Sequence, residues 1–377
     1  MTALRAARPQ LRRAVKQTAA NVVQRSGLVR LRRSSARAGS RVLIVGYHHV
    51  VPDFERASQN VIPALVTGVA TFEQQLSTIG RSYRFASLSE ALDVLSERRT
   101  SDRDLCVVTF DDGYRSFLEH ALPVLERLGI PATLYVPSGF IGNSVPLLHD
   151  RLYALLRMTH ATLPASGFDV SGPVQVALGR ALLDDPIAAV DRLLERSSPS
   201  VCVAIAEALE RRLGVDPDLA LDDSRPLSWD ELRAVHAAGV EIGSHTVDHS
   251  CMHSELRSDA VRQLERSRSR LESELGTPVV HFSYPNGWYT PSAVEELQAA
   301  GYRSAVTTES RLNRLGENPF LLKRKAVWEF TSRGLRSFSP AVASCNFDDV
   351  FAALGVSPYV SGEKPDPVRP EGAALQS

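Results

Sequence analysis

The sequence predicts an α/β fold built on a parallel sheet, with a helical subdomain inserted into it. Three apolar runs, at residues 41–47, 105–110 and 132–136, have the length and composition of buried strands, and helical patterns separate them. This alternation of strand and helix is typical of βαβ units. The chain has 377 residues, of which 44% are hydrophobic and 23% charged, and this ordinary globular composition excludes an intrinsically disordered protein.

Further strands and helices follow in the order of the chain. Beyond residue 136, strands are predicted at residues 240–243, 279–284 and 303–306. Helices are predicted at residues 71–83, 88–95, 114–128, 229–239, 254–275 and 291–300. Gly129 and Pro131 end the third of these helices, and Ser228 with Glu231 forms a capping box that begins the fourth.

The alternation of strands and helices is interrupted between residues 146 and 225. Helical stretches at 147–158, 187–194 and 201–213 are separated there by clusters of Pro, Gly, Ser and Asp. We therefore predict a catalytic domain over residues 41–345 that contains a helical insertion at about 146–225. Residues 1–40 are predicted to be a basic N-terminal extension and residues 346–377 a C-terminal tail.

Charge is balanced over the whole chain but not along it. Lys+Arg and Asp+Glu each total 43, which argues against a strongly basic nucleic-acid-binding protein. Residues 1–41 hold eleven Arg or Lys and no Asp or Glu. Two interpretations of this segment are open: an amphipathic helix in peripheral contact with an anionic membrane, or a solvated, partly disordered extension. The apolar positions of the helix would be Leu11, Val15, Val22 and Val23.

Cysteine usage and hydropathy predict the compartment. The four cysteines show no metal-knuckle or redox spacing, which indicates reduced and mostly buried thiols. No apolar run approaches about 18 residues, and the first 40 residues lack the apolar core of a signal peptide. We expect a cytoplasmic protein, with a position at the inner membrane face as the alternative.

Three short segments at the carboxyl ends of predicted strands carry the chemistry, because α/β folds place their sites there. The strand at 105–110 ends in Asp111 and Asp112, whose side chains diverge, so that one can bind a metal while the other acts as a base. His245 and His249 follow the strand at 240–243, and their spacing puts both rings on one face of a helical turn. Caps, turns and surface histidines are the alternatives.

Two histidines and one carboxylate with open coordination positions fit a catalytic Zn²⁺, Co²⁺ or Fe²⁺ site. A metal beside a second carboxylate suits hydrolysis, since the metal polarises water and carbonyl while the carboxylate removes the water's proton. The βαβ pattern argues against non-haem iron oxygenases. The third segment, at residues 282–287, runs into a Pro/Gly turn that can aim a backbone N–H at a substrate; an ordinary strand-to-loop turn is the alternative.

Taken in order, the segments TFDDGY, GVEIGSHTVDH and FSYPNG, with the earlier YHHV, resemble the polysaccharide deacetylase family (the NodB-homology domain, carbohydrate esterase family 4) over roughly residues 41–330. The resemblance implies a distorted (β/α) barrel. It also implies metal-dependent removal of N-acetyl groups from amino sugars of a bacterial polysaccharide, oligosaccharide or lipid-linked precursor. An O-acetyl esterase, a non-sugar amidohydrolase and a catalytically silent metal-holding carbohydrate-binding protein remain alternatives.

The resemblance also implies roles for individual residues. Asp111 resembles the catalytic base, and the backbone N–H of Asn286 resembles the donor to the oxyanion. The implied metal ligands, for zinc first and for cobalt or another divalent ion second, are Asp112, His245 and His249. Residues expected to line the substrate groove or to support the site are Tyr114, Tyr284, Pro285 and Arg324.

Two departures from the family pattern stand out. Ser283 stands where many members have an Arg that orients the catalytic Asp, and Arg324 is the candidate replacement. No His follows His281, so the late His that protonates the leaving amine in many members is missing. His48, in the opening motif, is the candidate acid, and a structural histidine is the alternative.

Overall fold

A curled, mainly parallel sheet forms the centre of the computed structural model, which describes residues 2–27, 39–166, 185–197, 199–215, 224–252 and 257–355. The strands are β1 (Arg41–Tyr47), β2 (His49–Val51), β3 (Val66–Gly68), β4 (Arg84–Phe85), β5 (Leu105–Phe110), β6 (Ala132–Val136), β7 (Glu241–Ser244), β8 (His281–Ser283), β9 (Ser304–Val306), β10 (Asn313–Arg314) and β11 (Lys325–Ala326). The main sheet has the order β10-β1-β5-β6-β7-β8-β9. All neighbours in it are parallel except β10, which is antiparallel to β1.

Residues 322–326 close the curled sheet by joining its last parallel strand to its first. Leu322 bridges to Val306 at the end of β9, while β11 pairs in parallel with Val45 and Gly46 of β1. Residues 322–326 thus reach from the last parallel strand to the first, and the predicted distorted (β/α) barrel is confirmed. The carboxyl ends of β1, β5, β7 and β8 meet at one mouth of this barrel.

Helices surround the sheet. They are α1 (Thr2–Arg25), α2 (Phe54–Ala57), α3 (Val69–Gly80), α4 (Leu88–Leu95), α5 (Leu122–Leu128), α6 (Leu148–Ser166), α7 (Pro186–Arg196), α8 (Pro199–Leu213), α9 (Trp229–Ala237), α10 (Arg257–Leu275), α11 (Ala293–Ala299), α12 (Pro340–Phe347) and α13 (Val350–Ala353). The helix predicted over 114–128 is instead a π-helical segment, Phe117–Ala121, followed by α5. Gly129 ends α5 in the left-handed conformation (φ 62°), and the capping box at Ser228 is present.

Three helices, α6, α7 and α8, make up the described part of the predicted insertion. They pack around an apolar cluster of their own, which includes Leu152, Leu193 and Ile205. The chain returns to the barrel where the Leu227 amide donates to the Gly113 carbonyl at 2.9 Å. Residues 167–184, 198 and 216–223, which belong to the predicted insertion, lie outside the described residues.

The basic N-terminal segment forms helix α1, which packs on the barrel domain. Ala20 and Val23 are buried in one cluster with α12 and α13, and Gln17 Nε2 donates to Ser339 Oγ at 2.8 Å. A solvated extension is therefore wrong for the part of α1 around Ala20 and Val23, because these two side chains are covered by protein. Val15 and Val22 are exposed, and membrane contact stays a prediction.

Other predictions for the chain have mixed outcomes. The cysteines are free thiols, and all but Cys251 are buried, as predicted. No helix in the described ranges combines the length and the apolar character that crossing a membrane requires. Helix α12 continues through residue 345, the predicted end of the catalytic domain, and residues 356–377 of the predicted tail lie outside the described residues.

The docking of α1 is testable with two neighbouring valines. Val23→Asp places a charge in the buried cluster, where Val23 is 7% exposed, and should weaken docking by about 2 kcal/mol. We expect trypsin to remove α1 more than tenfold faster from this variant than from the wild type. Val22→Asp, at a 60% exposed position, is the matched control and should leave the rate unchanged. Equal rates for both variants would show that α1 does not dock through Val23.

Candidate metal and catalytic site

The two carboxylates that follow β5 point to different partners because the chain turns sharply between them. The Asp111 amide still donates to the Tyr47 carbonyl at 3.0 Å, as a continuation of the β1–β5 pairing. Asp112 and Gly113 then take left-handed conformations, with φ of 74° and 70°. A side-chain carbon at Gly113 would lie 2.9 Å from Ile141 and Val136, so that only glycine fits there.

Asp112, His245 and His249 form a group that is suited to a metal ion. Their ligand atoms all lie within 4.8 Å of one another. Asp112 Oδ1 is 3.6 Å from His245 Nε2 and 3.5 Å from His249 Nε2. The donor atoms of a tetrahedral zinc ion, with bonds of 2.0–2.1 Å, are about 3.4 Å apart. Asp112 Oδ1 is also buried without a hydrogen-bond partner among the described residues, and a bound cation would satisfy it.

The histidines reach this group from a turn rather than from a helix. The predicted helical turn at 245–249 is wrong, since Thr246 and His249 have φ of 66° and 61°. The turn still brings the two rings to a centroid distance of 4.8 Å. His245 Nδ1 donates to the Ser283 carbonyl at 2.7 Å, so that Nε2 is left as the unprotonated nitrogen that faces Asp112.

Asp111 is held by Arg324 in a bidentate ion pair. Both guanidinium–carboxylate distances are 2.6 Å, and both residues are only 3% exposed. Ser283 Oγ accepts from Arg324 at 3.0 Å and donates to Asp111 at 3.3 Å. A side-chain carbon at Gly46 would lie 3.1 Å from Arg324, so the glycine in β1 provides the room for this side chain. Arg324 thus occupies the position relative to Asp111 that the sequence suggested.

Electrostatics separate the two carboxylates. Burial alone would raise the pKa of Asp111, but Arg324 and then His245 hold that pKa below its usual value. Burial raises the pKa of Asp112, and the neighbouring Asp111 and Asp150 raise it further. Asp111 is therefore the ionised carboxylate of the pair, and Asp112 is the one that needs a cation to stay charged.

His48 and Asn286 also lie at the barrel mouth. His48 Nε2 is 4.0 Å from Asp112 Oδ2, and burial lowers the pKa of His48 to about 4, so that its ring is neutral at pH 7. Asn286 has a φ of 56° and lines the same cleft as His249. Its side-chain amide donates to Cys251 Sγ at 3.3 Å. The predicted places of both residues near the metal group are thus observed, and their catalytic roles stay predictions.

The four residues that were expected to line the substrate groove are buried, and their contact with a substrate stays a prediction. Tyr114 and Tyr284 are at most 1% exposed, and Pro285 is buried within the turn that follows β8. The guanidinium of Arg324 is engaged in the bidentate pair with Asp111. The Tyr114 hydroxyl donates to Asp150 at 2.6 Å and so links the turn after β5 to helix α6.

Two residues of the site were missed by the sequence analysis. His149 Nε2 lies 3.9 Å from Asp112 Oδ2 and 3.0 Å from the Tyr114 hydroxyl. Asp150, the next residue, is fully buried beside Tyr114. Both belong to α6 in the insertion. The only local signal is an adjacent His and Asp at the start of a helix, which says nothing about proximity to residues 111–114.

A barrel with a carboxylate–histidine group at its mouth is an arrangement that could hold a metal ion. The polysaccharide deacetylase family model matches residues 98–305, more than half of the chain. The protein therefore belongs to the polysaccharide deacetylase family, which are hydrolases acting on carbon–nitrogen bonds. No curated protein sequence matches the chain.

Two solved structures of deacetylases are similar to this chain to different degrees. The structure of IcaB from Ammonifex degensii has a TM-score of 0.53 and 21% identity, and the match covers 82% of this chain and 98% of that one. The Streptococcus pyogenes deacetylase PplD in complex with acetate has a TM-score of 0.49 and 17% identity, with 76% and 92% covered. At 21% identity the similarity to IcaB concerns the fold alone.

The buried ion pair of Arg324 and Asp111 predicts how the stabilities of its single and double variants compare. Arg324→Gln leaves the buried Asp111 carboxylate unpaired and should lower the free energy of unfolding by about 3–5 kcal/mol. Asp111→Asn leaves the guanidinium unpaired and should also be destabilising. The double variant should be more stable than Arg324→Gln alone, because it buries no unpaired charge.

Urea unfolding of the three variants measures this coupling. Arg127→Gln, which breaks the solvent-exposed pair with Glu73, is the control and should change stability little. Strictly additive effects of the two buried substitutions would contradict a coupled pair.

Proposed function

We propose that the protein is a metal-dependent deacetylase that removes N-acetyl groups from amino sugars, with Asp111 as the base. Asp112, His245 and His249 would hold one divalent ion, and zinc is the ion that this donor set favours. The observation that carries the proposal is the buried Asp112 oxygen without a partner, which faces two imidazole nitrogens beside a second, Arg-held carboxylate. The family supports the carbohydrate substrate.

The two adjacent carboxylates would have different roles, Asp112 as a metal ligand and Asp111 as the base. A bound divalent cation would polarise the substrate carbonyl and the attacking water. Asp111 stays ionised and fixed in orientation by Arg324 and Ser283, which suits it to accept the proton of that water. The backbone N–H of Asn286, in the turn after β8, would donate to the oxyanion that develops on the carbonyl.

The departing amine needs a proton. His48 is the proposed donor because it follows β1 and reaches the same mouth as Asp112. His48 would pass to the amine the proton that Asp111 removes from water. Hydrolysis then balances: the water oxygen bonds to the carbonyl carbon, the carbon–nitrogen bond breaks, acetate is released, and the two protons of the water end on the amine.

Metal binding is tested first. Purified wild type should hold about one equivalent of divalent metal, and the double variant His245→Ala/His249→Ala should hold less than about a tenth of an equivalent. His120→Ala, on the partly exposed side of the π-helical segment, is the matched control and should keep the metal. Metal analysis by mass spectrometry gives the result, and full occupancy in the double variant would overturn the ligand assignment.

Catalysis is tested by acetate release from N-acetylglucosamine oligomers. Asp111→Asn should keep its metal yet lose on the order of 10²–10⁴ in rate, because the amide cannot accept the water's proton. A near wild-type rate would remove Asp111 as the base. If the metal-loaded wild type binds the oligomers and releases acetate from neither N-acetyl nor O-acetyl substrates, the silent carbohydrate-binding alternative replaces the enzyme.

A further inference from the structure

A cleft of about 380 Å³ opens directly beside the metal group. On the barrel side it is lined by residues 139–140, residues 248–251 and Asn286, and His249 belongs to this wall. On the other side it is lined by the chain that leads into α6 and by α7 and α8 of the insertion. Its volume is at the small end of the range of about 300–1,000 Å³ that is usual for small-molecule sites. A substrate bound at the metal group would therefore extend into this cleft.

The insertion gives the cleft a largely aliphatic wall. The apolar residues of this wall are Val145, Pro146, Leu147, Leu148, Leu194, Cys202 and Val203. Phe140 is the one aromatic residue in the lining, and it is 4% exposed with its ring edge-on to Tyr114. Arg151 also lines the cleft, but its guanidinium is neutralised by a bidentate pair with Glu210 at 2.6 and 2.5 Å.

Most of this wall offers a second sugar unit no hydrogen-bond partner, because its polar residues Asn143, His149 and Ser197 are fewer than its apolar ones. Each buried hydroxyl of a sugar needs a hydrogen-bond partner, and aliphatic side chains provide none. An alkyl chain has no such requirement and gains affinity with every methylene that it buries. The polar groups on the barrel side, which include Asp248, Ser250 and Asn286, lie where a sugar at the metal group would need them.

We propose that the insertion forms a binding site for an aliphatic chain carried by the N-acetylated amino sugar. This inference rests on the proposed function and deepens it, since it names the substrate class as an amino sugar with an aliphatic aglycone. The barrel would hold the sugar and its acetamido group, and the wall formed by α6, α7 and α8 would hold the chain. The apolar cluster behind this wall, with Leu152, Leu193 and Ile205, keeps it in place.

The test compares N-acetylglucosamine β-glycosides with methyl, butyl and octyl aglycones, below their micelle concentrations. We expect kcat/KM to rise about fourfold for each methylene that enters the cleft, and to level off once the cleft is full. Oligomers of N-acetylglucosamine should gain nothing comparable with length. A gain with sugar length and none with alkyl length would overturn the proposal and make the cleft a sugar subsite.

Two variants of α8 locate the effect. Val203→Asp places a charge in the wall and should abolish the gain from butyl to octyl, measured as the ratio of kcat/KM for the two glycosides in the same variant. Val201→Asp, on the same helix at a 41% exposed position outside the lining, is the matched control. Val203→Ser replaces the Asp variant if circular dichroism shows that the latter does not fold. An unchanged octyl preference in a folded Val203 variant would overturn the proposal.

Calorimetry with octyl glucoside, which has no acetamido group, separates this site from the proposed activity. Binding to wild type and loss of binding in Val203→Asp would support the chain site even if no acetate were released from any substrate. Hydrolysis of the methyl glycoside without binding of octyl glucoside would overturn the chain site and leave the deacetylase proposal in place.

Discussion

The buried pair of Asp111 and Arg324 is the interaction on which the rest of the site depends. A carboxylate that is 3% exposed stays ionised only if it is paired, and Arg324 supplies two hydrogen bonds as well as the charge. Arg324 lies in the segment that closes the barrel between β9 and β1. The segment that closes the barrel therefore also supplies the cation that keeps Asp111 ionised. Gly46 in β1 belongs to the same arrangement, because any side chain there would crowd Arg324.

Backbone strain is concentrated at the same mouth. Six non-glycine residues in the described part of the chain have positive φ, and four of them belong to the site, namely Asp112, Thr246, His249 and Asn286. Each such conformation costs on the order of 1–3 kcal/mol and persists only where the surroundings determine it. The rigid ends of β5, β7 and β8 supply those surroundings. For Thr246 the cost is largest, since a β-branched residue seldom adopts this conformation.

The sequence predicted the long buried strands with their bounds, the three- and four-residue strands β7, β8 and β9 approximately, and the two-residue strands not at all. The runs at 41–47, 105–110 and 132–136 are strands with those bounds, because every residue in them is buried and the apolar pattern is continuous. Strands β4, β10 and β11 have two residues each, too few for any periodicity to appear. The metal ligands were predictable because each follows a recognisable strand. Burial of Tyr114 and Tyr284 was not, because it depends on the insertion and on the packing of β8 against α11.

The barrel and the insertion contribute different residues to the same site. The barrel positions Asp111 and the group of Asp112, His245 and His249 through strand ends and their turns. The insertion reaches the same mouth with His149 and Asp150, which meet Tyr114 and Asp112 from the opposite side. It also places an aliphatic wall next to His249. The barrel thus holds Asp111 and the Asp112, His245 and His249 group, and the insertion forms the opposite wall of the cleft beside them.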